Sequence, residues 1–351
     1  MFQSRIGGIG FYVPERVVTN EDLARHMDTS DQWIQERTGI KERRYAEGGK
    51  ESTSSMGANA SKIAIERAGI EASDIDFIIF ATLSPDYYFP GSGVLLQREL
   101  GITNTEIGAL DIRNQCTGFV YGLSIADQYI KTGMYKNILL VGAEFHSMGL
   151  DYSTRGRNVS VIFGDGAGAL VLQATEEEGS GILTTHLHSN GNFAEELAFI
   201  SPGAHGGYHG NEEMYEFPDV EFGGMFITET MLKEGLTFPN MNGQLVFKNA
   251  VRKFPEVIME ALKKTGYDPT DIDLLVPHQA NLRISEFVQR MMKLPSEKVF
   301  NNIQKYGNTT AASIPIALCE AWESGLVKKG DLICLAAFGS GFTWGSALIR
   351  W

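Results

Sequence analysis

The feature of this chain that most constrains its fold is an internal repeat. Residues 69–76 read Gly-Ile-Glu-Ala-Ser-Asp-Ile-Asp, and residues 266–273 read Gly-Tyr-Asp-Pro-Thr-Asp-Ile-Asp. The two segments are identical at four of eight positions and lie 197 residues apart. Each follows an amphipathic stretch with helical spacing, at about 53–68 and about 250–265. A match in one short segment can arise by chance, so the flanking elements decide whether the chain is duplicated.

The predicted strands keep the same order in both halves. Short apolar runs bounded by polar residues are typical of buried strands. We predict strands at Phe77–Ala81, Ile107–Ile112 and Asn137–Val141 in the first half, and at Leu274–Val276, Val299–Ile303 and Asp331–Ala336 in the second. This shared order favours a true duplication.

A long helix follows the second predicted strand of each half. The first helix is predicted over about residues 116–131 and ends at Gly133. The second is predicted over about residues 309–323 and ends at Gly325, 192 residues after Gly133. The repeat therefore covers order, motif and spacing over about 80 residues in each half.

The repeat predicts an α/β protein made of two similar halves, in which helices cover the central strands. Residues 1–190 would form the N-terminal half and residues 241–351 the C-terminal half. Residues 191–240 break the repeat and form an excursion rich in Gly, Pro and aromatic residues. Its apolar side chains are too numerous for a disordered linker, so we expect it to pack on the protein. They are Met214, Tyr215, Phe217, Phe222, Met225, Phe226 and Met231.

Composition excludes several classes of function. The formal net charge of −13 argues against binding to nucleic acid, which needs a basic surface. No apolar run is long enough to cross a membrane, and the first residues show no signal-peptide pattern. Three cysteines cannot form a disulfide framework in a chain of 351 residues. We therefore expect a cytoplasmic protein with free thiols.

Cys116 is the strongest candidate nucleophile. It stands where a predicted strand ends and a helix begins, and the positive end of a helix dipole favours a thiolate. Its neighbours Gln115, Thr117 and Gly118 are polar or small, which suits a site that other groups approach. Cys319 and Cys334 fall inside a predicted helix and strand, so we expect them to be buried and inert.

His278 and Asn308 are candidate partners of the cysteine. His278 follows a predicted strand, and strand ends carry catalytic groups in many α/β folds. Asn308 is the repeat counterpart of Cys116, 192 residues later, although a helix N-cap is an equally good interpretation of that residue alone. The duplication brings two equivalent strand–helix junctions near one centre, which gives all three side chains a route to a common pocket.

Other motifs are less specific. The glycine-rich segment 338–345 offers backbone N–H groups for an oxyanion, or it is simply a hairpin turn. Gly8 and Gly10 do not form a dinucleotide fingerprint, because position 13 is Val. His186 and His188 share one strand face but lack a third metal ligand at suitable spacing, so no metal is expected. His205 and His209 are expected to face solvent.

The motifs taken together resemble β-ketoacyl-acyl-carrier-protein synthase III. The resemblance runs from about residue 4 to 351 outside the excursion. It rests on Asp31-Gln-Trp-Ile, Arg37-Thr-Gly-Ile, Cys116-Thr-Gly-Phe, Phe163-Gly-Asp-Gly-Ala-Gly, His278-Gln-Ala-Asn-Leu-Arg, Gly307-Asn-Thr and Gly341-Phe-Thr-Trp-Gly-Ser-Ala. The resemblance implies the thiolase fold, a duplicated α-β-α-β-α sandwich with the excursion as an insertion, and a homodimer.

The resemblance also implies a reaction. An acyl-CoA would acylate Cys116, and malonyl-acyl-carrier protein would then lose CO₂ and attack as an enolate, as in the initiation of fatty acid synthesis. His278 and Asn308 would stabilise the enolate, and the backbone N–H groups of Cys116 and Ser340 would form the oxyanion hole. CoA thioesters would be substrates, and no cofactor is implied.

Binding residues follow from the same resemblance and from charge. The positions matching contacts to CoA and its pantetheine arm are Trp33, Arg37, Arg157 and Asn281. Phe89 matches a residue that reaches the partner's acyl pocket across the dimer. On an acidic chain, a basic group at Lys248, Arg252, Lys253 and Arg283 predicts docking of the acidic carrier protein.

Three departures bear on the acyl substrate. Gln115 stands where Ala is common, Ser340 stands where the family has a central Gly, and the excursion lengthens the Cys116-to-His278 spacing to 162 residues. They keep an alternative open, namely a same-fold enzyme of secondary metabolism that joins two acyl chains or transfers an acyl group to an amine or alcohol. We expect about residues 200–235 to fold over the acyl tunnel or to extend the dimer interface beside it.

Overall fold

Two β-sheets form the centre of the protein, seen in a computed structural model that describes residues 2–102, 106–204 and 227–351. The strands are β1 (Gln3–Tyr12), β2 (Val17–Thr19), β3 (Glu42–Arg44), β4 (Phe77–Ala81), β5 (Gly108–Ile112), β6 (Asn137–Glu144), β7 (Gly166–Thr175), β8 (Gly181–Ser189), β9 (Leu197–Ala198), β10 (Asn240–Met241), β11 (Leu274–Pro277), β12 (Leu332–Gly339) and β13 (Thr343–Arg350). The helices are α1 (Asn20–Ala24), α2 (Asp31–Thr38), α3 (Thr53–Ala68), α4 (Ser92–Glu99), α5 (Gly118–Lys131), α6 (Arg157–Ser160), α7 (Glu229–Glu234), α8 (Gly243–Thr265), α9 (Leu282–Met292), α10 (Ile303–Tyr306) and α11 (Ser313–Glu323).

The two sheets have related topologies. The first has the order β1-β7-β6-β4-β5, with β4 parallel to both β5 and β6. The second has the order β11-β12-β13-β8, with β11 parallel to β12 and the other pairs antiparallel. The apolar runs at β4, β6 and β12 are buried along nearly their whole length, as expected for strands that are covered on both faces.

Five layers stack around these sheets. Helices α5 and α11 lie between them, in a core that also contains side chains of β4, β6, β7, β11, β12 and β13. Helix α3 packs on the outer face of the first sheet. Helices α8 and α9 cover the outer face of the second. This arrangement confirms the predicted duplicated α-β-α-β-α sandwich. Within the described ranges, no helix is both long and apolar enough to span a membrane.

The sequence repeat corresponds to equivalent elements. Strand β4 and helix α3 have the predicted bounds, and both central helices stop before a glycine with positive φ, Gly133 and Gly325, each at 77°. Glycine adopts this left-handed backbone conformation without a steric penalty, which makes it the common residue just after a helix.

Three boundaries differ from the predictions. Val299–Ile303 is not a strand: only a single bridge joins Val299 to Leu275, and α10 begins at Ile303. Helix α8 begins at Gly243, seven residues before the predicted start. Strand β8 belongs by pairing with β13 to the second sheet, so the predicted N-terminal half, 1–190, extends too far. Its mixed polar and apolar sequence gave no sign of which sheet it joins.

The glycines of β1 explain a motif that resembles a dinucleotide fingerprint. A Cβ at Gly8 would lie 2.1 Å from the carbonyl oxygen of Ala64, and one at Gly10 would lie 2.4 Å from that of Ala60. Both glycines therefore allow α3 to approach the strand closely, and their role is packing.

Only the ends of the excursion are described. Pro202 lines a cavity, and the hydroxyl of the buried Ser201 lies 3.5 Å from the sulfur of Met231. That cavity is also lined by Cys116, and the fold of about residues 200–235 over the acyl tunnel or beside the dimer interface stays a prediction. The described residues do not include two groups named in the sequence analysis. These are the apolar side chains Met214, Tyr215, Phe217, Phe222, Met225 and Phe226, and the histidines His205 and His209.

The packing between the two halves can be tested by a substitution at Gly142 of β6. A Cβ at this position would lie 2.4 Å from the carbonyl oxygen of Ala311, next to Asn308 in the second half. We expect Gly142→Ala to lower the free energy of unfolding by about 1–3 kcal/mol through overpacking, as measured by urea denaturation. Gly191→Ala is the matched control, because nothing lies within 4 Å of its added Cβ. Equal stability of the two variants would contradict this packing.

Candidate active site

Two cavities meet at Cys116. Cavity 1, of about 360 Å³, is lined mainly by apolar side chains, among them Leu83, Tyr88, Phe145 and Phe199. Cavity 2, of about 710 Å³, is lined by Trp33, Arg37, Phe247, His278 and Asn308, among others. Cys116, Phe163 and Leu197 border both cavities. A sulfur at such a junction can exchange a group between two separately bound molecules.

A strained turn positions Cys116. The residue lies in a short 3-10 helix, Gln115–Thr117, between β5 and α5, and Gln115 has a φ of 43°. The hydroxyls of Thr117 and Thr343 lie 2.8 Å apart, which joins this turn to the β12–β13 hairpin. A non-glycine residue with positive φ is uncommon, so the surrounding contacts must hold this conformation.

The glycine-rich segment is both a hairpin turn and part of the site. Gly339 pairs with Thr343 across the hairpin, and a Cβ at Gly339 would lie 2.5 Å from the Cβ of Cys116. The backbone N–H groups of Ser340 and of Cys116 itself donate to the sulfur. Ser340, which differs from the family pattern, uses its hydroxyl to bind the carbonyl oxygen of Leu197.

The structure opposes the expectation that Cys116 favours a thiolate. Burial, with a smaller contribution from the Glu144 carboxylate, raises the pKa of the Cys116 thiol to about 12, and the two backbone N–H groups only partly oppose this. Cys116 is 7% exposed, and its sulfur is therefore largely removed from water. The resting nucleophile is a neutral thiol that must lose its proton as it reacts. Cys319 and Cys334 are fully buried, as predicted.

His278 presents an unpaired ring nitrogen at the end of β11. The side chain is 3% exposed, and burial lowers its pKa to about 3, so the imidazole is neutral. Its Nδ1 lies 2.6 Å from the Ser313 hydroxyl, while its buried Nε2 has no hydrogen-bond partner. The Ser313 oxygen also accepts from the N–H of Gln279 at 3.4 Å. In the tautomer in which the Ser313 hydroxyl donates to Nδ1, Nε2 carries the ring proton and is a donor.

Backbone hydrogen bonds through its own N–H and C=O groups hold Asn308 in place. Its N–H donates to the carbonyl oxygen of Ile162 at 2.9 Å, and its carbonyl oxygen accepts from the N–H of Gly164 at 3.1 Å. Its side-chain oxygen accepts from the N–H of Thr310 at 2.8 Å. With that oxygen occupied, the amide NH₂ is the group left to donate. The contact to Thr310 is of the type that caps a turn, and it leaves the NH₂ available at the same time.

Three buried residues beside the site were missed by the sequence analysis. Glu144 ends β6, His146 follows it, and Thr310 lies two residues after Asn308. The Nε2 of His146 lies 2.6 Å from the Thr310 hydroxyl and 4.0 Å from the Glu144 carboxylate. Burial raises the pKa of Glu144 to about 7 and lowers that of His146 to about 3, so they do not form an ion pair. Polar residues at the carboxyl end of a buried strand were the available signal.

The residues matched to CoA contacts lie together at cavity 2. The guanidinium groups of Arg37 and Arg157 lie 4.3 and 5.2 Å from the centre of the Trp33 ring. Trp33, Arg37 and Asn281 line the cavity, and Arg157 adjoins Asn158, which also lines it. The amide of Asn281 caps α9 and donates to the carbonyl oxygen of Arg37 at 2.8 Å.

Two of the four basic residues predicted to dock the carrier protein pair with an acidic side chain. Glu256 lies 3.4 Å from Arg252 and 2.7 Å from Lys253, which also sits over the Trp344 ring. Lys248 and Arg283 are exposed, and Arg283 lines cavity 2. Among the residues that the structure describes, Glu256 pairs with Arg252 and Lys253, and no acidic side chain forms an ion pair with Lys248 or Arg283.

Two remaining candidates lie apart from the Cys116 site. Phe89 is 82% exposed on the surface of the single chain. His186 and His188 both contact Glu260 on α8, at 3.2 and 2.6 Å. In the part of the chain that the structure describes, no group of three or more His, Cys, Asp or Glu side chains is arranged to hold a metal ion.

Comparison with known proteins gives the same family as the motifs. A sequence profile described as "3-Oxoacyl-[acyl-carrier-protein (ACP)] synthase III" matches residues 110–191, and the profile for its C-terminal part matches residues 262–351. β-Ketoacyl-[acyl-carrier-protein] synthase III of Rhodospirillum centenum is 45% identical over 99% of both chains. That of Caldanaerobacter subterraneus is 43% identical over 98% of this chain and 96% of its own.

Comparison with solved structures indicates the same family. The crystal structure of 3-oxoacyl-[acyl-carrier-protein] synthase III from Aquifex aeolicus has a TM-score of 0.85 and 41% identity, and the match covers 99% of this chain and 100% of that one. Full-length similarity at this level, together with the geometry at Cys116, shows that this chain belongs to the β-ketoacyl-acyl-carrier-protein synthase III family of thiolase-fold condensing enzymes.

Proposed function

We propose that this protein condenses an acyl-CoA with malonyl-acyl-carrier protein, giving 3-oxoacyl-acyl-carrier protein, CoA and CO₂. The observation that carries the proposal is the position of Cys116 at the junction of two cavities, with His278 and Asn308 lining the larger one. The names of its full-length relatives support the same chemistry. The reaction is the initiation of fatty acid synthesis.

The first half-reaction loads an acyl group on Cys116. The sulfur attacks the thioester carbonyl carbon, the thiol proton passes to the departing CoA sulfur, and a new thioester forms. The backbone N–H groups of Cys116 and Ser340 donate to the sulfur. As the carbonyl oxygen becomes negative, the same N–H groups would stabilise it as an oxyanion hole.

The second half-reaction decarboxylates the malonyl group. Its C–C bond to the carboxylate breaks, CO₂ leaves, and the electron pair forms an enolate. The Nε2–H of His278 and the amide NH₂ of Asn308 are the unoccupied donors that would hold the enolate oxygen. The enolate carbon then attacks the acyl carbonyl on Cys116 and releases the cysteine sulfur as a thiolate, which takes up a proton from solvent and becomes a thiol again. No cofactor takes part in these steps.

Each cavity suits one part of the substrates. The apolar lining of cavity 1 suits the acyl chain, and Pro202 makes the excursion a part of that lining. In cavity 2 the Trp33 ring, with Arg37 and Arg157 beside it, offers an aromatic face and two positive charges to an adenine nucleotide. Asn281 also lines cavity 2 and would contact the pantetheine arm.

Assembly and location belong to the same proposal. Phe89, with the exposed Tyr87 and Tyr88 before it, forms an apolar surface that a homodimer would cover, and would place Phe89 at the partner's acyl pocket. The three cysteines are all unpaired, which suits the reducing conditions of the cytoplasm.

The division of labour between the half-reactions can be measured. We expect Cys116→Ser to abolish loading, seen as loss of the acyl mass shift when the protein is incubated with a panel of acyl-CoAs. His278→Ala should retain the mass shift but lower the rate of CO₂ release from malonyl-carrier protein, on the order of 10²–10³-fold for one lost donor.

The wild-type protein and Cys319→Ser are the controls for this experiment, because the sulfur of Cys319 is buried away from both cavities. Near wild-type product formation by Cys116→Ser would overturn the covalent mechanism. Equal loss of loading and CO₂ release in His278→Ala would overturn the assignment of roles. Acylation of an added amine or alcohol without CO₂ release would favour the alternative acyltransferase.

Carrier-protein docking is tested by charge reversal. Arg283→Glu should raise the KM for malonyl-carrier protein on the order of tenfold, equivalent to about 1.4 kcal/mol, with a larger effect at low salt. Arg283 also lines cavity 2, so loading from acyl-CoA should be affected too, but less than the KM for malonyl-carrier protein. Lys264→Glu, at the far end of α8, changes the net charge equally and should have no such effect. An unchanged KM in Arg283→Glu would exclude the patch at Lys248, Arg252 and Arg283.

A further inference from the structure

Thr310 has a backbone conformation that needs support. Its φ is 50°, in the left-handed region, and it is a β-branched residue. Such a conformation costs on the order of 1–3 kcal/mol and persists only where surrounding contacts hold it. Thr310 is 1% exposed and begins the 3-10 turn that leads into α11. The contacts of Thr310 therefore identify the residues that stabilise this backbone conformation.

Those contacts connect Thr310 to two buried side chains. Its N–H donates to the side-chain oxygen of Asn308 at 2.8 Å, and its hydroxyl lies 2.6 Å from the Nε2 of His146. The first contact fixes which end of the Asn308 amide is left to donate. If Thr310 turned to a negative φ, its N–H would leave the Asn308 oxygen, and the amide would be free to rotate.

His146 is itself held firmly. Its ring centre lies 4.7 Å from that of Phe163, its backbone N–H donates to the buried Asp165 carboxylate, and its side chain is almost completely buried. The Glu144 carboxylate oxygen lies 4.0 Å from Nε2 and favours a proton on that nitrogen. Nε2–H then donates to the Thr310 hydroxyl.

We propose that His146 is a positioning residue which, through its hydrogen bond to Thr310, keeps the Asn308 amide turned to donate to the enolate. The proposal rests on the condensation proposed above. It predicts that the His146–Thr310 hydrogen bond serves the second half-reaction only, because Asn308 takes no part in loading Cys116.

The test uses Thr310→Val, which removes the hydroxyl but keeps the branched shape, and Thr310→Ser, which keeps the hydroxyl. Each protein is first loaded from acyl-CoA and then mixed with malonyl-carrier protein, and loading and condensation are timed separately in single turnovers. Because Thr310 and His146 also line cavity 1, loading is timed with the shortest acyl-CoA that the wild-type protein accepts, whose chain extends least along that cavity. With this substrate Thr310→Val should load within about threefold of the wild-type rate and condense on the order of tenfold more slowly. Thr310→Ser should recover most of the lost condensation rate.

His146→Phe provides an independent measurement, since it fills the ring's place without a donor. It should show the same selective loss, and the double variant His146→Phe/Thr310→Val should be no slower than either single one, because both remove one hydrogen bond. Wild-type condensation by Thr310→Val, or equal loss of both half-reactions in both single variants, would overturn the proposal. Failure of the wild-type protein to load Cys116 or release CO₂ would instead overturn the proposed function.

Discussion

The close approach of the Cys116 turn to the second sheet is the constraint on which the rest of the structure depends. A side-chain carbon at Gly339 would fall 2.5 Å from the Cys116 Cβ, and one at Gly142 would fall 2.4 Å from the Ala311 backbone. These two glycines let the halves of the duplicated fold meet without a gap. Because Cys116 and Asn308 occupy corresponding positions of the repeat, the nucleophile of one half and the amide of the other border the same cavity.

Burial at this junction determines how the site works electrostatically. The same desolvation raises the pKa of the Cys116 thiol and lowers those of His278 and His146, so the resting site has neither a thiolate nor an imidazolium. What remains are neutral donors with fixed directions: two backbone N–H groups, one ring N–H and one amide. Donors of this kind stabilise negative charge that develops only during the reaction. They therefore bind the transition state more strongly than the substrate, and this difference accelerates the reaction.

Much of the fold and the central residues could be predicted from sequence, because a duplication repeats its pattern, because Cys116 and His278 follow strands, and because Asn308 is the repeat counterpart of Cys116. The parts that failed depend on tertiary contacts. Val299–Ile303 is apolar enough for a strand, but only Val299 pairs with a neighbour. Strand β8 pairs across the boundary between the halves. Glu256 balances two of the four basic residues at the docking patch, and His146 meets Thr310 over 164 positions of sequence.

The central claim is that one sulfur serves two cavities with different occupants. Its most direct test is a crystal structure of the protein soaked with an acyl-CoA, before malonyl-carrier protein is added. We expect continuous electron density from the Cys116 sulfur along an acyl chain in cavity 1, with CoA in cavity 2 and its adenine against Trp33. An acyl chain lying in cavity 2, or density joined to any residue other than Cys116, would contradict the account.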